Sequence, residues 1–343
     1  MKIKIICTLG PSSFKKNILN DFKKLGVNIF RINMSHTLIN NLEKKIKFLQ
    51  KNKIKNICID TEGAQIRTTK VKKKIYFEKN SEIKISNEDT FSSKKKINIL
   101  PKFDFKHIKL NSLIHIGFEN LILKVIKKDL KKDLIICKVK NRGFLDSNKG
   151  VHVASKINLN PLTEKDIKAI NIAKKNKVRH YAISFVNKGE DIDVVKNYVN
   201  KNSVIISKIE TKNSLRNLSL ISKKSDALLI DRGDLSRYIP IEQMPIIQEG
   251  IANFTRKNKK PLYVATNLLE TMVKETNPTR AESHDIYSTL NQGIEGLVLA
   301  AETAIGKDPV ECVKFLKRCI NNNNKKKIKK IQKIINKSRK KIN

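Results

Sequence analysis

The stretch Val204-Ile205-Ile206-Ser207-Lys208-Ile209-Glu210 decides how this chain folds, together with its echo Ala227-Leu228-Leu229-Ile230-Asp231-Arg232-Gly233-Asp234. Each is a short apolar run that ends abruptly in charge, the pattern of a buried strand whose C-terminal tip carries polar groups. Residues i and i+2 of a strand share a face, so Lys208 and Glu210 point the same way. A lysine, a glutamate and an aspartate gathered at the tips of neighbouring parallel strands make a site for a divalent cation and an anionic substrate. A buried ion pair is the plainer reading of the same residues.

The same grammar extends outward on both sides. Lys4 to Leu9 reads as a strand stopped by Gly10-Pro11, with a serine cap at Ser12-Ser13 for a helix over about residues 14–25. Gly26 to Asn33 is a second strand, ending in the polar knot Arg31-Ile32-Asn33-Met34-Ser35-His36. Ile39, Leu42, Ile46 and Leu49 then mark one face of a helix. Ile57 to Thr61 is a third strand with polar residues at its end. From about Arg67 to Asn160 the pattern changes to short alternating runs such as Leu121-Ile122-Leu123-Lys124-Val125, which predict a small antiparallel β domain. Strand–helix alternation resumes at Pro161, where Thr163 caps a helix that Asp166 supports; Thr279 to Glu282 reads as a second capping box. Strands follow at about 180–185, 203–209, 226–231, 261–266 and 295–299. Three strands before the insert and five after predict an α/β fold, a TIM (β/α)8 barrel over 1–66 and 161–320, with the β insert at 67–160.

Composition narrows the function classes. The 343 residues suffice for a large core and more than one domain. A net charge of +40 invites a nucleic-acid or anionic-membrane partner, but the lysines are spread along the whole chain with abundant Ile and Asn. That distribution reads as compositional bias, so no specific nucleic-acid and no membrane partner is expected. The 5 cysteines form no CxxC pair, which fits a reducing compartment, the cytoplasm, rather than a disulfide framework. Met1 to Lys4 enters a strand at once, so no leader is expected, and no apolar run reaches membrane-spanning length. The basic segment 321–343 spaces Ile328, Ile331, Ile335 and Ile342 for one helix face; it reads as a packed helix or tail in preference to a membrane- or RNA-binding one.

There is no GxxxxGK[ST] and no GxGxxG, so phosphate chemistry must come from the strand tips. Arg31 offers a guanidinium that grips a phosphoryl group at two points. Asn33, Ser35, Asp60 and Thr61 are hard oxygen donors suited to a monovalent cation. Lys208 can offset charge on a phosphoryl group and an enolate. Glu210 and Asp234 can hold Mg2+. Thr266 offers a hydroxyl for substrate contact or proton delivery.

The segments ICTLGPSS (6–13), NIFRINMSH (28–36), CIDTEGAQIRT (58–68), NKGV (148–151), PLTEKD (161–166), AISFV (182–186), SKIET (207–211), RGDL (232–235), PLYVATNLLETM (261–272), NPTRAE (277–282) and LAAETAIGKDP (299–309) resemble the pyruvate kinase family, in family order along nearly the whole chain. The resemblance implies transfer of the phosphoryl group of phosphoenolpyruvate to ADP, giving pyruvate and ATP. It makes the insert an antiparallel β-barrel lid that excludes water on closing. It implies that Arg31 contacts phosphate, that Asn33, Ser35, Asp60 and Thr61 bind potassium, and that Asn33 to His36, Arg67 and Lys149 contact the nucleotide. Lys208 resembles the catalytic lysine, Glu210 and Asp234 the magnesium ligands, Gly233 a backbone substrate contact and Thr266 the substrate hydroxyl.

Some positions depart from the family. Members commonly read DTKGPEIR where this chain has Asp60 to Arg67. Potassium-dependent members carry glutamate at the place of Gln65 and potassium-independent ones lysine, so the potassium requirement stays open. Asn187 stands where an arginine often follows SFV, Ala300 to Ala304 stands for SGETA, and Ser236 to Pro240 stands for GVEIP with a carboxylate lost. The family usually continues into a further C-terminal domain, whose absence would remove effector regulation; the oligomer is left open, a homo-oligomer included. Two other readings compete: a lyase that uses phosphoenolpyruvate or pyruvate, and a catalytically idle barrel with a binding or scaffold role.

Overall fold

The computed structural model describes residues 3–117, 121–153, 155 and 157–323. The chain divides into two compact units, residues 1–63 with 161–343 and residues 64–160. The basic segment from 324 onward, with its four spaced isoleucines, lies outside the described residues.

The first unit is a closed barrel of eight parallel strands: Lys4–Thr8, Ile29–Asn33, Ile57–Asp60, His180–Ile183, Val204–Ile209, Ala227–Asp231, Leu262–Ala265 and Gly296–Leu299. Each pairs in parallel with its neighbours in sequence, and the first closes on the last through Lys4↔Gly296 to Cys7↔Leu299. Strand periodicity sorts the side chains. Ile6, Ile29, Cys58, Ala182, Ile206, Ala227, Leu229, Tyr263 and Val298 fill the barrel interior. Their neighbours, such as Ile5, Phe30, Ile205 and Leu228, join the larger core between strands and helices. The inward face of four strands therefore runs from apolar to polar along the same row: Ile29 to Arg31 to Asn33, Cys58 to Asp60, Ile206 to Lys208 to Glu210, Leu229 to Asp231.

The helices follow the expected signals with one correction. The helix Ile39–Lys51 buries Leu42, Ile46 and Leu49 completely, each worth about 1.5–3 kcal/mol of apolar transfer. Thr163 and Thr279 both form complete capping boxes, with Asp166 and Glu282. The first helix, Lys16–Leu25, has Lys15 at its N-cap and no side-chain cap. The expected serine cap fails because Ser13 accepts from the Gly10 amide at 3.1 Å instead, closing the Gly-Pro turn.

His180 opens the fourth strand half-buried, with its Nδ1 buried. Burial, reinforced by the charges of Lys4 and Arg179, holds its pKa below the ordinary 6.5. The folded state thus resists protonation that the unfolded chain accepts, so this contribution to stability is present above about pH 6.5 and lost as pH falls below it. The melting temperature of the parent should drop more steeply between pH 7.5 and pH 5 than that of His180→Gln; parallel curves would reject the assignment.

The second unit is a closed seven-strand barrel with a separate two-stranded sheet. Its strand pairings among the described residues are antiparallel, apart from Glu82–Ser86 beside Lys96–Leu100, which run parallel as does the isolated bridge Val71↔Ser92. Alternating residues such as Leu121, Leu123 and Val125 turn inward to its own core.

Candidate active site

Lys208 sits at the centre of a buried charge cluster at the C-terminal tips of the barrel strands. Its Nζ lies 2.8 Å from Glu210 Oε1, 3.3 Å from Asp231 Oδ2 and 3.5 Å from Asp60 Oδ1, and donates to Ser184 Oγ at 3.1 Å. Burial alone would depress the ammonium pKa; the carboxylates of Asp60, Glu210 and Asp231 outweigh it and hold the pKa well above the ordinary lysine value. The plainer reading of the opening stretch is thus part of the structure, since Lys208 and Glu210 do pair, but three carboxylates and not one surround the ammonium.

Arg31 lies beside this cluster. Its Nε donates to Thr8 Oγ1 at 2.8 Å. Its Nη1, 3.4 Å from Asp60 Oδ2, is buried with no hydrogen-bond acceptor among the described residues. A buried guanidinium nitrogen without an acceptor is suited to an incoming anion.

Glu210 is fully buried, and its Oε2 accepts from the Phe185 amide at 2.6 Å. Phe185 has φ +55°, a left-handed conformation that a bulky residue adopts only under constraint. Burial pushes the Glu210 carboxyl up to about 8, with Asp234 and Asp231 adding to the rise and Lys208 opposing it. Glu210, Asp231 and Asp234 each bring a carboxylate oxygen within 4.8 Å of the others. Such a set of hard oxygen donors fits a divalent cation of the magnesium type. Asp234 lies on the short helix Arg232–Leu235, 3.5 Å from Arg237 Nε. Arg237 belongs to the segment that departs from GVEIP, so this chain sets an arginine beside Asp234.

Thr266 follows the seventh strand with φ +76°, a strained backbone for a β-branched residue. Its hydroxyl donates to Asp231 Oδ1 at 2.7 Å, and its carbonyl accepts from Arg232 Nε at 2.9 Å and Nη2 at 2.6 Å. Gly233 packs against it: a Cβ there would stand 2.9 Å from Thr266 Cγ2, so only glycine permits the approach.

The monovalent-cation candidates fall into two linked groups. Asn33 Oδ1 accepts from the Ser35 amide at 2.9 Å and caps the single turn Met34–His36. Thr61 Oγ1 accepts from the Ser184 amide at 3.0 Å, and its carbonyl accepts from Ser184 Oγ at 2.7 Å. Lys165 reaches the same region, donating to the Met34 carbonyl at 2.6 Å and to Glu62 Oε1 at 2.8 Å. Arg67 and Lys149 belong to the second unit, where Arg67 Nη1 donates to the Asn148 carbonyl at 3.2 Å and the Lys149 amide donates to Thr68 Oγ1 at 2.9 Å.

Two residues escaped the sequence reading. Asp231 was legible, since it follows Leu229 on the inward face of its strand as Lys208 follows Ile206. Ser184, a contact of both Thr61 and Lys208, carries no local signal; a serine within AISFV looks like any strand residue.

The family model for the pyruvate kinase barrel domain matches residues 1–313. The chain belongs to the pyruvate kinase family. The pyruvate kinase of Thermotoga maritima is 34% identical over 333 residues, covering 94% of this chain and 71% of that one. The plastidial pyruvate kinase 3 of Arabidopsis thaliana is 33% identical, covering 92% of this chain and 57% of its own length. The pyruvate kinase of Staphylococcus haemolyticus is 31% identical, with 92% and 56% covered. The chain thus spans little more than half the length of the last two pyruvate kinases.

Proposed function

We propose that this chain catalyses transfer of the phosphoryl group of phosphoenolpyruvate to ADP, giving pyruvate and ATP, as in glycolysis in the cytoplasm. The observation that supports this best is the buried Lys208 held among Asp60, Glu210 and Asp231 beside the acceptor-free Nη1 of Arg31. Arg31 would grip the phosphoryl oxygens, and Lys208 would offset charge where the phosphoryl group leaves and the enolate forms. Gly233 would present its backbone to the substrate and Thr266 its hydroxyl. Mg2+ held by Glu210 and Asp234 would add positive charge at the same oxygens. Asn33, Ser35, Asp60 and Thr61 would hold K+, with Gln65 leaving the requirement open. Asn33, His36, Arg67 and Lys149 would contact the nucleotide. The insert at 67–160 would act as the lid that excludes water from the barrel mouth.

Purified protein should form pyruvate from phosphoenolpyruvate only when ADP and Mg2+ are both present, as read by coupling to NADH oxidation through lactate dehydrogenase. Running the assay with and without K+ decides the monovalent-cation requirement. Absence of ADP-dependent pyruvate formation under all of these conditions would sink the reading. Pyruvate-forming cleavage without ADP would favour the lyase alternative.

A further inference from the structure

The structure grips Thr266 with two consecutive residues from the neighbouring strand. Asp231 takes its hydroxyl hydrogen at 2.7 Å, and Arg232 takes its carbonyl at 2.9 and 2.6 Å. Arg232 is itself held by Asp285 at 2.8 Å. The parallel register Asp231↔Ala265 sets the two tips side by side, so both contacts follow from the barrel's own pairing. The clamp holds a threonine in a left-handed backbone, φ +76°, and such strain persists only where its surroundings enforce it. The other oxygen of Asp231 faces Lys208 Nζ at 3.3 Å. One carboxylate thus joins the two groups that face the substrate in the proposed reaction.

We infer that Asp231 is a positioning residue that sets the direction of the Thr266 hydroxyl. A hydroxyl is a rotor whose hydrogen turns to its best acceptor. Oδ1 of Asp231 accepts from the hydroxyl at 2.7 Å while its Oδ2 lies 3.3 Å from the Lys208 ammonium. Facing that carboxylate, the hydroxyl hydrogen is committed to Asp231, and its lone pairs are left for the substrate side. Thr266 then meets the substrate through its oxygen lone pairs, which can take up a methyl proton as its own hydrogen passes to Asp231. Glu210 differs in kind: it faces an ammonium, which donates whichever way it turns, and a fixed backbone amide, so it selects no direction for either. This inference rests on the proposed reaction but names a role that the reaction alone does not assign.

The test compares the parent with Asp231→Ala, Thr266→Ala and the double variant in three measurements: turnover in the coupled assay, exchange of pyruvate methyl protons into D2O followed by proton NMR, and Mn2+ affinity by electron paramagnetic resonance. Methyl exchange requires enolisation of pyruvate but no nucleotide, so it reports on Thr266 even where ADP phosphorylation is absent. Asp231→Ala should lower turnover and methyl exchange about 10- to 100-fold with little change in the KM for phosphoenolpyruvate, the range typical for groups that orient another residue. Removing Asp231 from the Thr266→Ala background should cost little more, because its effect passes through a hydroxyl already gone. Mn2+ affinity should stay within about threefold of the parent. Additive losses in the double variant, or a tenfold weaker Mn2+ site in Asp231→Ala, would overturn the inference; the second outcome would make Asp231 a metal ligand. A parent that exchanges no methyl protons would overturn it as well, since Thr266 would then serve no enolisation. A parent that exchanges them yet phosphorylates no ADP would refute the proposed reaction and leave the Asp231 assignment to be decided by the variants.

Discussion

Lys208→Met should lose at least about 10³-fold in turnover while keeping the fold. Methionine reproduces the unbranched stem, so the space that the buried Lys208 side chain occupies stays filled. What disappears is the positive charge that faces Asp60, Glu210 and Asp231. In the proposed reaction that charge meets the phosphoryl group as it transfers, and one preorganised contact of this kind is worth about 10²–10³ in rate. A full ammonium in a buried site should stand at or above the top of that range. The same change leaves three buried carboxylates with less compensation, and removing one partner of a buried charge network costs about 3–5 kcal/mol. The variant should therefore melt lower than the parent, the more so at high pH where the raised Glu210 carboxyl ionises. Turnover has to be compared at a temperature where circular dichroism shows both proteins folded. A folded variant that retains more than a tenth of parental turnover would remove Lys208 from the chemistry.

Much of this site was legible because strands have a period of two and parallel barrels place every C-terminal tip at one end. Lys208 and Glu210 are read from Ile206, and Arg31 and Asn33 from Ile29, by counting along one face. Helix starts were equally legible where the cap and its partner sit three residues apart, as Thr163 with Asp166. The reading failed where a residue's role depends on a partner that the local pattern does not single out. Ser13 looked like a helix cap, but the nearby Gly10 amide claimed its hydroxyl. Ser184 became a contact of Asp60 and Thr61 only because the barrel brings together residues more than a hundred apart in sequence. Asp166 looked like a capping partner alone, yet its carboxylate also accepts the Glu62 and Gly63 amides at 2.7 and 3.0 Å. No local pattern announces such a second use of one side chain. Gly63 shows the same limit: its φ of +72° suits a turn, but the need for glycine comes from the Ser184 carbonyl, which a Cβ would meet at 2.4 Å.

Asp234→Asn should separate metal binding from stability, in contrast to Lys208→Met. Asp234 is half-buried on a short helix at the barrel mouth, and its neighbour across 3.5 Å is Arg237. An asparagine there keeps the side-chain shape and an oxygen facing Arg237, and the pair is only partly buried, so the melting temperature of the metal-free protein should stay within a few degrees of the parent. Metal binding should respond differently. A hard divalent cation is held mainly by carboxylate charge, and an amide oxygen supplies a dipole in its place. Mn2+ affinity should fall about 10- to 100-fold, and turnover at a fixed Mg2+ concentration should fall with it, partly recovering as Mg2+ is raised. Recovery by added metal marks a lost ligand, because a group that acts only on the transition state gives a deficit that metal cannot repair. Asp231 and Asp234, three residues apart and both within 4.8 Å of Glu210 at their nearest oxygens, are thereby assigned opposite signatures. The first should lose rate with its metal retained, and the second should lose metal and regain rate at high Mg2+. Equal Mn2+ affinity in the parent and Asp234→Asn would remove Asp234 from the metal site, and would leave Glu210 to be tested as a ligand by itself.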